Sequence, residues 1–211
     1  GAGAVAMINP EITGAANWAS LITTTPKRTT TDPGDALPPP VYAHGDVVLV
    51  YIAFAKCAHS WLFGASLTTL GKVGLWRGPV VVITDMPKCL MRVQGPKAAE
   101  AGLNLTLVYS PRKKLVIDMK IEKTDIWEHV EKAGFNPKLL VYIDEDLIVM
   151  RPVQFFVDYL NEHHPTADIM MFRDSKNSKW AHGGLMATRP TDKARKCLGQ
   201  WKAKIKKAKK A

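Results

Sequence analysis

Short runs of consecutive apolar residues alternate along the chain with segments whose apolar residues recur at helical spacing. A continuous apolar run predicts a strand that is buried on both faces, as in a parallel sheet. The predicted strands are Asp46–Phe54, Val80–Ile83, Leu103–Tyr109, Leu139–Ile143, Ala167–Phe172 and a short one at Gly184–Ala187. The predicted helices are Ser60–Lys72, a short one near Lys97–Ala101, Asp118–Ala133 and Val153–Asn161. This alternation predicts an α/β fold with a mostly parallel sheet flanked by helices.

The same pattern divides the chain into three segments. Residues 1–45 are rich in Gly, Ala, Thr and Pro and lack a steady period, which predicts an extended low-complexity segment or stem. Residues 46–190 contain all the predicted strands and form the predicted domain. Residues 191–211 hold nine Lys and Arg against one Asp, so they account for +8 of the chain's formal net charge of +10. We expect them to form a basic C-terminal helix or tail.

Three consecutive acids, Asp144, Glu145 and Asp146, follow the fourth predicted strand. Burying like charges together costs free energy, because each loses its water and repels the others. In parallel sheets, ligands bind beyond the carboxyl ends of the strands, where these acids would lie. Two carboxylates one residue apart can hold a hard divalent ion that also binds phosphates. The pattern therefore predicts a Mn2+ or Mg2+ site on Asp144 and Asp146, with an exposed acidic turn as the alternative.

Further motifs accompany the acids across the predicted domain. They are, in chain order, Val47–Leu67 with Gly64-Ala65-Ser66-Leu67, then Lys123-Thr124-Asp125-Ile126-Trp127, then Asp174, then His182-Gly183-Gly184-Leu185-Met186 with Arg189-Pro190. In this order they resemble the glycogenin-like family of retaining nucleotide-sugar glycosyltransferases, which have the Rossmann-like GT-A fold and an Asp-x-Asp metal motif. The resemblance implies a metal-dependent hexosyltransferase that moves a sugar from a UDP-sugar, such as UDP-glucose, to a glycan, protein or small-molecule acceptor.

The resemblance also implies roles for individual residues. Lys123 would place a positive charge at the phosphates or the sugar, and Asp174 would accept hydrogen bonds from sugar hydroxyls. The implied donor-binding residues are Val50, Tyr51, Ile52, Lys123, Asp144, Glu145, Asp174, His182, Gly183 and Gly184. The plainer alternatives are a solvated lysine at Lys123, a loop aspartate at Asp174, and a strand bulge at Gly183 and Gly184.

Several positions depart from the family's pattern. His182 stands where the family usually has Asn, and Glu145 stands where a small or neutral residue is common. The family's Asp-Gln acceptor-side segment and its late metal-binding His have no counterpart in these 211 residues. A truncated or non-catalytic GT-A domain that binds nucleotide without turnover is therefore the alternative.

The basic segment 191–211 raises a second alternative. Leu198, Trp201, Ile205 and Ala208 recur on one helical face, which predicts that this helix packs against the domain. Lysines occupy most of its remaining surface, so contact with an anionic membrane surface or with nucleic acid is the competing interpretation. In that case the chain would be a binding module led by its tail.

The three cysteines and one N-glycosylation sequon give information on the cellular compartment of the protein. Cys57, Cys89 and Cys197 have no CxxC spacing and are odd in number, which argues against a disulfide framework and a structural zinc site. We therefore expect a reducing compartment, the cytoplasm, with the Golgi lumen as the alternative if a membrane anchor precedes this chain. Asn104-Leu105-Thr106 is an N-glycosylation sequon, but it falls in a predicted buried strand, so we expect it to be unoccupied.

Overall fold

The structure is a computed structural model that describes residues 5–8, 46–54, 61–111, 120–173 and 181–209, with the backbone alone for residues 5–8, 173, 181 and 182. Its strands are β1 (Val5–Ile8), β2 (Val47–Ile52), β3 (Val80–Thr84), β4 (Leu105–Tyr109), β5 (Leu139–Ile143), β6 (Ile169–Arg173) and β7 (Ala181–Thr188). The helices of the described part are α1 (Trp61–Lys72), α2 (Pro87–Glu100), α3 (Ile126–Lys132), α4 (Val153–His163) and α5 (Asp192–Ala208).

The strands form one seven-stranded sheet in the order β1-β6-β7-β5-β2-β3-β4. Neighbouring strands run parallel except at β7, which is antiparallel to both β5 and β6. From β2 the chain moves outward through β3 to β4, and then returns to place β5 on the other side of β2. The order of the strands thus reverses between β2 and β5, and ligands of open α/β sheets bind beside the carboxyl ends at such a point.

Helices cover both faces of the sheet. On one face, alternate strand residues such as Leu49, Tyr51 and Val141 pack with buried residues of α1, α2 and α4. On the other face, Val48, Val50 and their neighbours pack with α3 and α5. The predicted α/β fold with a mostly parallel sheet is confirmed.

The observed elements differ from the predicted ones at three places. Val5–Ile8, within the segment predicted to be an extended stem, pairs in parallel with β6. Helix α2 covers fourteen residues, Pro87–Glu100, and not only the region near Lys97–Ala101. Proline is tolerated at Pro87 because the first N–H groups of a helix have no partner within the helix, and the helix also continues through Pro96. Strand β7 is longer than Gly184–Ala187 and contains a register shift against β6.

The predicted helix Asp118–Ala133 is interrupted. Residues 120–122 are helical, residues 123–125 form a turn, and α3 begins only at Ile126. Thr124 makes this turn, since its hydroxyl donates to the carbonyl oxygen of Ile121 at 2.6 Å and its amide donates to the same oxygen at 2.9 Å. A threonine hydroxyl that bonds nearby backbone competes with helical hydrogen bonding in this way.

The basic C-terminal segment packs on the domain. Ala194, Leu198 and Ile205 of α5 are buried, and Thr191 caps the helix by accepting a hydrogen bond from the amide of Ala194. On one flank, Lys202 pairs with Asp125 at 2.7 Å and other basic residues face solvent. Contact of this helix with a membrane surface or nucleic acid stays a prediction. None of the described helices combines the length and the apolar character needed to span a membrane.

Cys89 corrects the expectation from cysteine spacing. It lies near the start of α2, packs partly buried against the core, and is disulfide-bonded. Cys197 has a free thiol, and Cys57 lies outside the described residues. Spacing misled because disulfide pairing depends on proximity in the fold, which a cysteine count cannot show.

Gly71→Ala provides a test of the packing between α1 and α2. A Cβ atom at Gly71 would lie 2.1 Å from the carbonyl oxygen of Ala101, so one backbone must move. We expect a loss of about 2–4 kcal/mol in the free energy of unfolding, measured by urea denaturation. Gly199→Ala on α5 is the matched control, because its Cβ would meet no atom within 4 Å. The control should be neutral or stabilising by up to about 1 kcal/mol; equal losses in both variants would contradict the packing.

Candidate functional site

The three acids lie in a tight turn at the carboxyl end of β5, at the point where the strand order reverses. The amide of Asp144 donates to the carbonyl oxygen of Gly184 at 2.7 Å, which extends the pairing of β5 with β7 by one residue. The amide of Leu147 donates to the carbonyl oxygen of Asp144 at 3.2 Å and closes the turn. Glu145 and Asp146 are the two central residues of that turn.

Lys123 neutralises the first of these acids. Its ammonium donates to Oδ1 of Asp144 at 2.7 Å and to the carbonyl oxygen of Gly183 at 3.1 Å, and it lies 4.7 Å from the centre of the Tyr142 ring. The hydroxyl of Tyr142 donates to the same oxygen of Asp144. The side chains of Lys123 and Asp144 are only 19% and 30% exposed, so water screens this ion pair less than a surface pair. The solvated alternative for Lys123 is therefore wrong.

A buried polar cluster holds the turn that carries Lys123. Glu122, which is 4% exposed, accepts a hydrogen bond from the hydroxyl of Ser110 at 3.0 Å, and its Oε2 lies 2.8 Å from Nε2 of His129. Ser110 follows β4 and His129 lies on α3, so Glu122 ties the turn to two elements at once. A buried carboxylate needs such partners. The cluster fixes the backbone next to Lys123.

The electrostatics of the acidic turn show an excess of negative charge. The pKa of Glu145 is raised to about 7, first by burial and then by the charges of Asp146 and Asp144. The pKa of Tyr142 is held well above its usual value, first by burial and then by the charge of Asp144. Lys123 therefore compensates Asp144 but does not neutralise the whole turn.

The residues at the turn fit one kind of metal ion. Within the described residues, no three His, Cys, Asp or Glu side chains converge to form a complete set of metal ligands. Asp144 and Asp146 offer carboxylate oxygens, the ligand type that Mg2+ and Mn2+ accept, and two such ligands would leave the remaining positions of an ion to water or to a bound ligand. Burial is the largest cause of the raised pKa of Glu145, and the charges of Asp146 and Asp144, which a bound cation would offset, are the smaller ones.

The residues predicted on β2 are buried in the strand next to β5. Val50 and Tyr51 have no exposed surface, and Ile52 is 8% exposed. The hydroxyl of Tyr51 shares a hydrogen bond with that of Ser66 at 3.1 Å, and burial raises the pKa of Tyr51 to about 12. Their contact with a donor stays a prediction.

Strand β7 brings its glycines to the site. The carbonyl oxygen of Gly183 accepts from Lys123 and that of Gly184 accepts from Asp144. The register between β6 and β7 shifts between Met171 and Phe172, so Gly183 and Gly184 lie in an irregular part of β7. This agrees with the alternative that the two glycines form a strand bulge. Only the backbone of His182 is described, and Asp174 lies outside the described residues, so their roles stay predictions.

Sequence reasoning missed Tyr142 and the cluster around Glu122. Tyr142 precedes Asp144 by two residues, and residues at that spacing on a strand share a face, so this partner could have been found from the sequence. The contact between Ser110, Glu122 and His129 joins three separate elements and leaves no local signal.

Comparisons with known proteins find similarity among solved structures alone. No family model matches the chain, and no curated protein matches its sequence. The mannosyltransferase PcManGT from Pyrobaculum calidifontis, in complex with GDP-Man and Mn2+, is 18% identical with a TM-score of 0.49, over 85% of this chain and 55% of that one. S. aureus TarS 1-349 is 11% identical with a TM-score of 0.45, over 68% and 47%. Its complex with UDP-GlcNAc is 12% identical with a TM-score of 0.41, over 62% and 34%.

The chain thus spans about half, or less, of the length of each of these structures. All three TM-scores lie below 0.5 and all identities below 25%. Structural similarity this weak does not assign a function to the chain, so the evidence for function is the geometry of the site.

Lys123→Met tests the charge balance of the site. We expect it to lower the free energy of unfolding by about 1–3 kcal/mol, because it leaves a partly buried carboxylate among two others without its partner. Urea denaturation at neutral pH measures the loss. The control is Lys72→Met, whose partner Glu100 is exposed, and which should lower the stability much less because water screens this pair.

A double variant completes this test. Adding Asp144→Asn to Lys123→Met removes both the ammonium and the charge it neutralises, so part of the lost stability should return. Strictly additive losses would show that Lys123 and Asp144 do not interact in solution.

Proposed function

We propose that this chain is a GT-A-type domain of a metal-dependent glycosyltransferase, which transfers a hexose from a UDP-sugar to an acceptor. The observation that carries the proposal is the juxtaposition of Lys123, Asp144 and the acidic turn at the carboxyl end of β5. Carboxylates that can bind a cation, next to the fixed ammonium of Lys123, would place two positive charges side by side, which suits a ligand with two phosphates. The place in the sheet where the strand order reverses supports the same proposal.

Asp144 and Asp146 would hold the divalent ion, Mn2+ or Mg2+. When bound, the ion would supply Lewis-acid neutralisation of the diphosphate leaving group. Glu145 would add negative charge next to the ion and strengthen its binding. Tyr142 orients Asp144 through its hydroxyl, which fixes one carboxylate oxygen and leaves the other for a ligand.

Lys123 would stabilise the negative charge that develops on the donor as the bond to the sugar breaks. In the present structure its ammonium is held by Asp144 and Gly183, two groups at the ends of different strands. Its position is therefore set before a substrate arrives, which is the condition for electrostatic stabilisation without reorganisation. By the family resemblance, Asp174, His182, Gly183 and Gly184 would contact the donor sugar, and the transfer would retain the anomeric configuration.

A nucleotide-binding domain without turnover is the second candidate. The observation in its favour is that the described residues offer Asp144 and Asp146 but no third converging His, Cys, Asp or Glu. Donor hydrolysis separates the two candidates. An enzyme of this class releases sugar from its donor slowly in the absence of an acceptor, whereas a binding domain holds UDP with Mn2+ and leaves the donor intact.

Asp146→Asn tests the metal assignment. It should weaken Mn2+-dependent binding of UDP by about tenfold or more, because the ion loses a charged ligand. Isothermal titration with UDP in the presence of Mn2+ and of EDTA measures this effect. Asp158→Asn on the exposed side of α4 is the matched control and should bind UDP as the parent does. Undiminished binding by a folded Asp146→Asn protein would rule the assignment out.

We further propose an oxidising compartment such as the Golgi lumen, in place of the cytoplasm expected from cysteine spacing. The disulfide at Cys89 supports it, since reducing compartments keep such thiols free.

Alkylation tests the premise of that proposal. In protein purified without reductant from a secretory host, iodoacetamide should modify Cys197 and spare Cys89, and prior reduction should expose Cys89. Peptide mass spectrometry reads out both sites. Modification of Cys89 without reduction would contradict the disulfide.

A further inference from the structure

The sequon Asn104-Leu105-Thr106 lies in a different environment from the one its apolar neighbours predict. Strand β4 is the last strand of the sheet and pairs only with β3 among the described strands. Its residues are half-buried or exposed, whereas every residue of β3 is buried. Asn104 precedes the strand and is exposed. The expectation of an inaccessible sequon rested on burial, and that premise is wrong.

The backbone before Asn104 presents its side chain to solvent. Gly102 has a φ of 75°, and its amide donates to the carbonyl oxygen of Ala99 at 2.9 Å, which ends α2. The amide of Leu103 donates to the carbonyl oxygen of Ala98 at 2.8 Å, and the Leu103 side chain is buried. Because successive side chains of an extended backbone point to opposite sides, a buried Leu103 directs Asn104 outward.

The side chain of Asn104 has no structural task in the part of the chain that is described. Its amide makes no hydrogen bond there, and it neither caps a helix nor closes a turn. The hydroxyl-bearing residue of the sequon, Thr106, is half-buried and likewise forms no side-chain hydrogen bond with the described residues. A modification at Asn104 would therefore break no contact of this part of the structure.

A second observation concerns the compartment in which such a modification takes place. N-glycosylation occurs in the secretory pathway, where disulfides form and persist. Cys89 is disulfide-bonded. The exposed sequon and the disulfide are independent features, and the disulfide is typical of the compartments in which a sequon can be modified.

We propose that Asn104 is an N-glycosylation site of this protein. The donor is a lipid pyrophosphate-linked oligosaccharide. Nδ2 of Asn104 forms a bond to the anomeric carbon of the first sugar and loses one proton to solvent, while the bond from that carbon to the pyrophosphate oxygen breaks and the lipid pyrophosphate leaves with the electron pair. No oxidant or reductant takes part. The proposal does not rest on the proposed glycosyltransferase activity.

A glycan on Asn104 would lie at the opposite end of the sheet from the candidate site. Asn104 precedes the amino end of β4, and the candidate site lies beyond the carboxyl ends of the parallel strands, roughly 16 Å further along the strand direction. A glycan there would leave the candidate site open. It would instead shield the edge of β4 that faces away from β3, which no described strand pairs with, and unshielded sheet edges pair with other chains and aggregate.

The test is secretion of the chain from a yeast host, followed by peptide mass spectrometry before and after treatment with peptide N-glycosidase. The proposal predicts a glycopeptide that contains Asn104, and its conversion to aspartate by the glycosidase. Asn104→Gln and Thr106→Ala should each abolish the glycan. Thr106→Ser is the matched control and should keep it, because serine also completes a sequon.

Two results would overturn the proposal. One is secreted parent protein whose Asn104 is unmodified, and the other is a glycan that persists in Asn104→Gln. If one variant is not secreted, the other removes the sequon through a different residue and decides the question. UDP binding by the unglycosylated variants should equal that of the parent, so failure of this proposal and failure of the proposed function are distinguishable.

Discussion

The ion pair between Lys123 and Asp144 is the interaction on which the site depends. It joins a turn before α3 to the end of β5, and the carbonyl oxygen of Gly183 draws β7 into the same contact. Three segments far apart in the chain therefore meet at one ammonium group. Without that charge, consecutive acids at the end of a buried strand would repel one another and lose their water without compensation.

The fold supplies the conditions for this contact. Since β5 returns to the centre of the sheet beside β2, the acids lie where the strand order reverses, which is where open α/β sheets bind their ligands. The buried carboxylate of Glu122 fixes the turn from behind through Ser110 and His129. The site is thus a consequence of sheet topology and of one buried polar cluster, and the negative charge that remains at the turn is of the sign that a divalent cation offsets.

Local signals made part of this predictable from sequence. The bounds of β5 and the place of the acids followed from an apolar run that ends in charges. The order of motifs pointed to Lys123 as a site residue, but its ion pair with Asp144 was not predicted. The break before α3 was missed, because the hydroxyl of Thr124 competes with a helix in a way that periodicity does not show. The exposure of Asn104 was missed because an apolar run does not distinguish an edge strand from a central one.

The most direct test of the account is a crystal structure of the chain soaked with UDP and Mn2+. The account predicts an anomalous peak within about 2.3 Å of carboxylate oxygens of both Asp144 and Asp146, with the diphosphate bound to the same ion and near Lys123. An ion or a nucleotide bound away from the carboxyl end of β5 would contradict it.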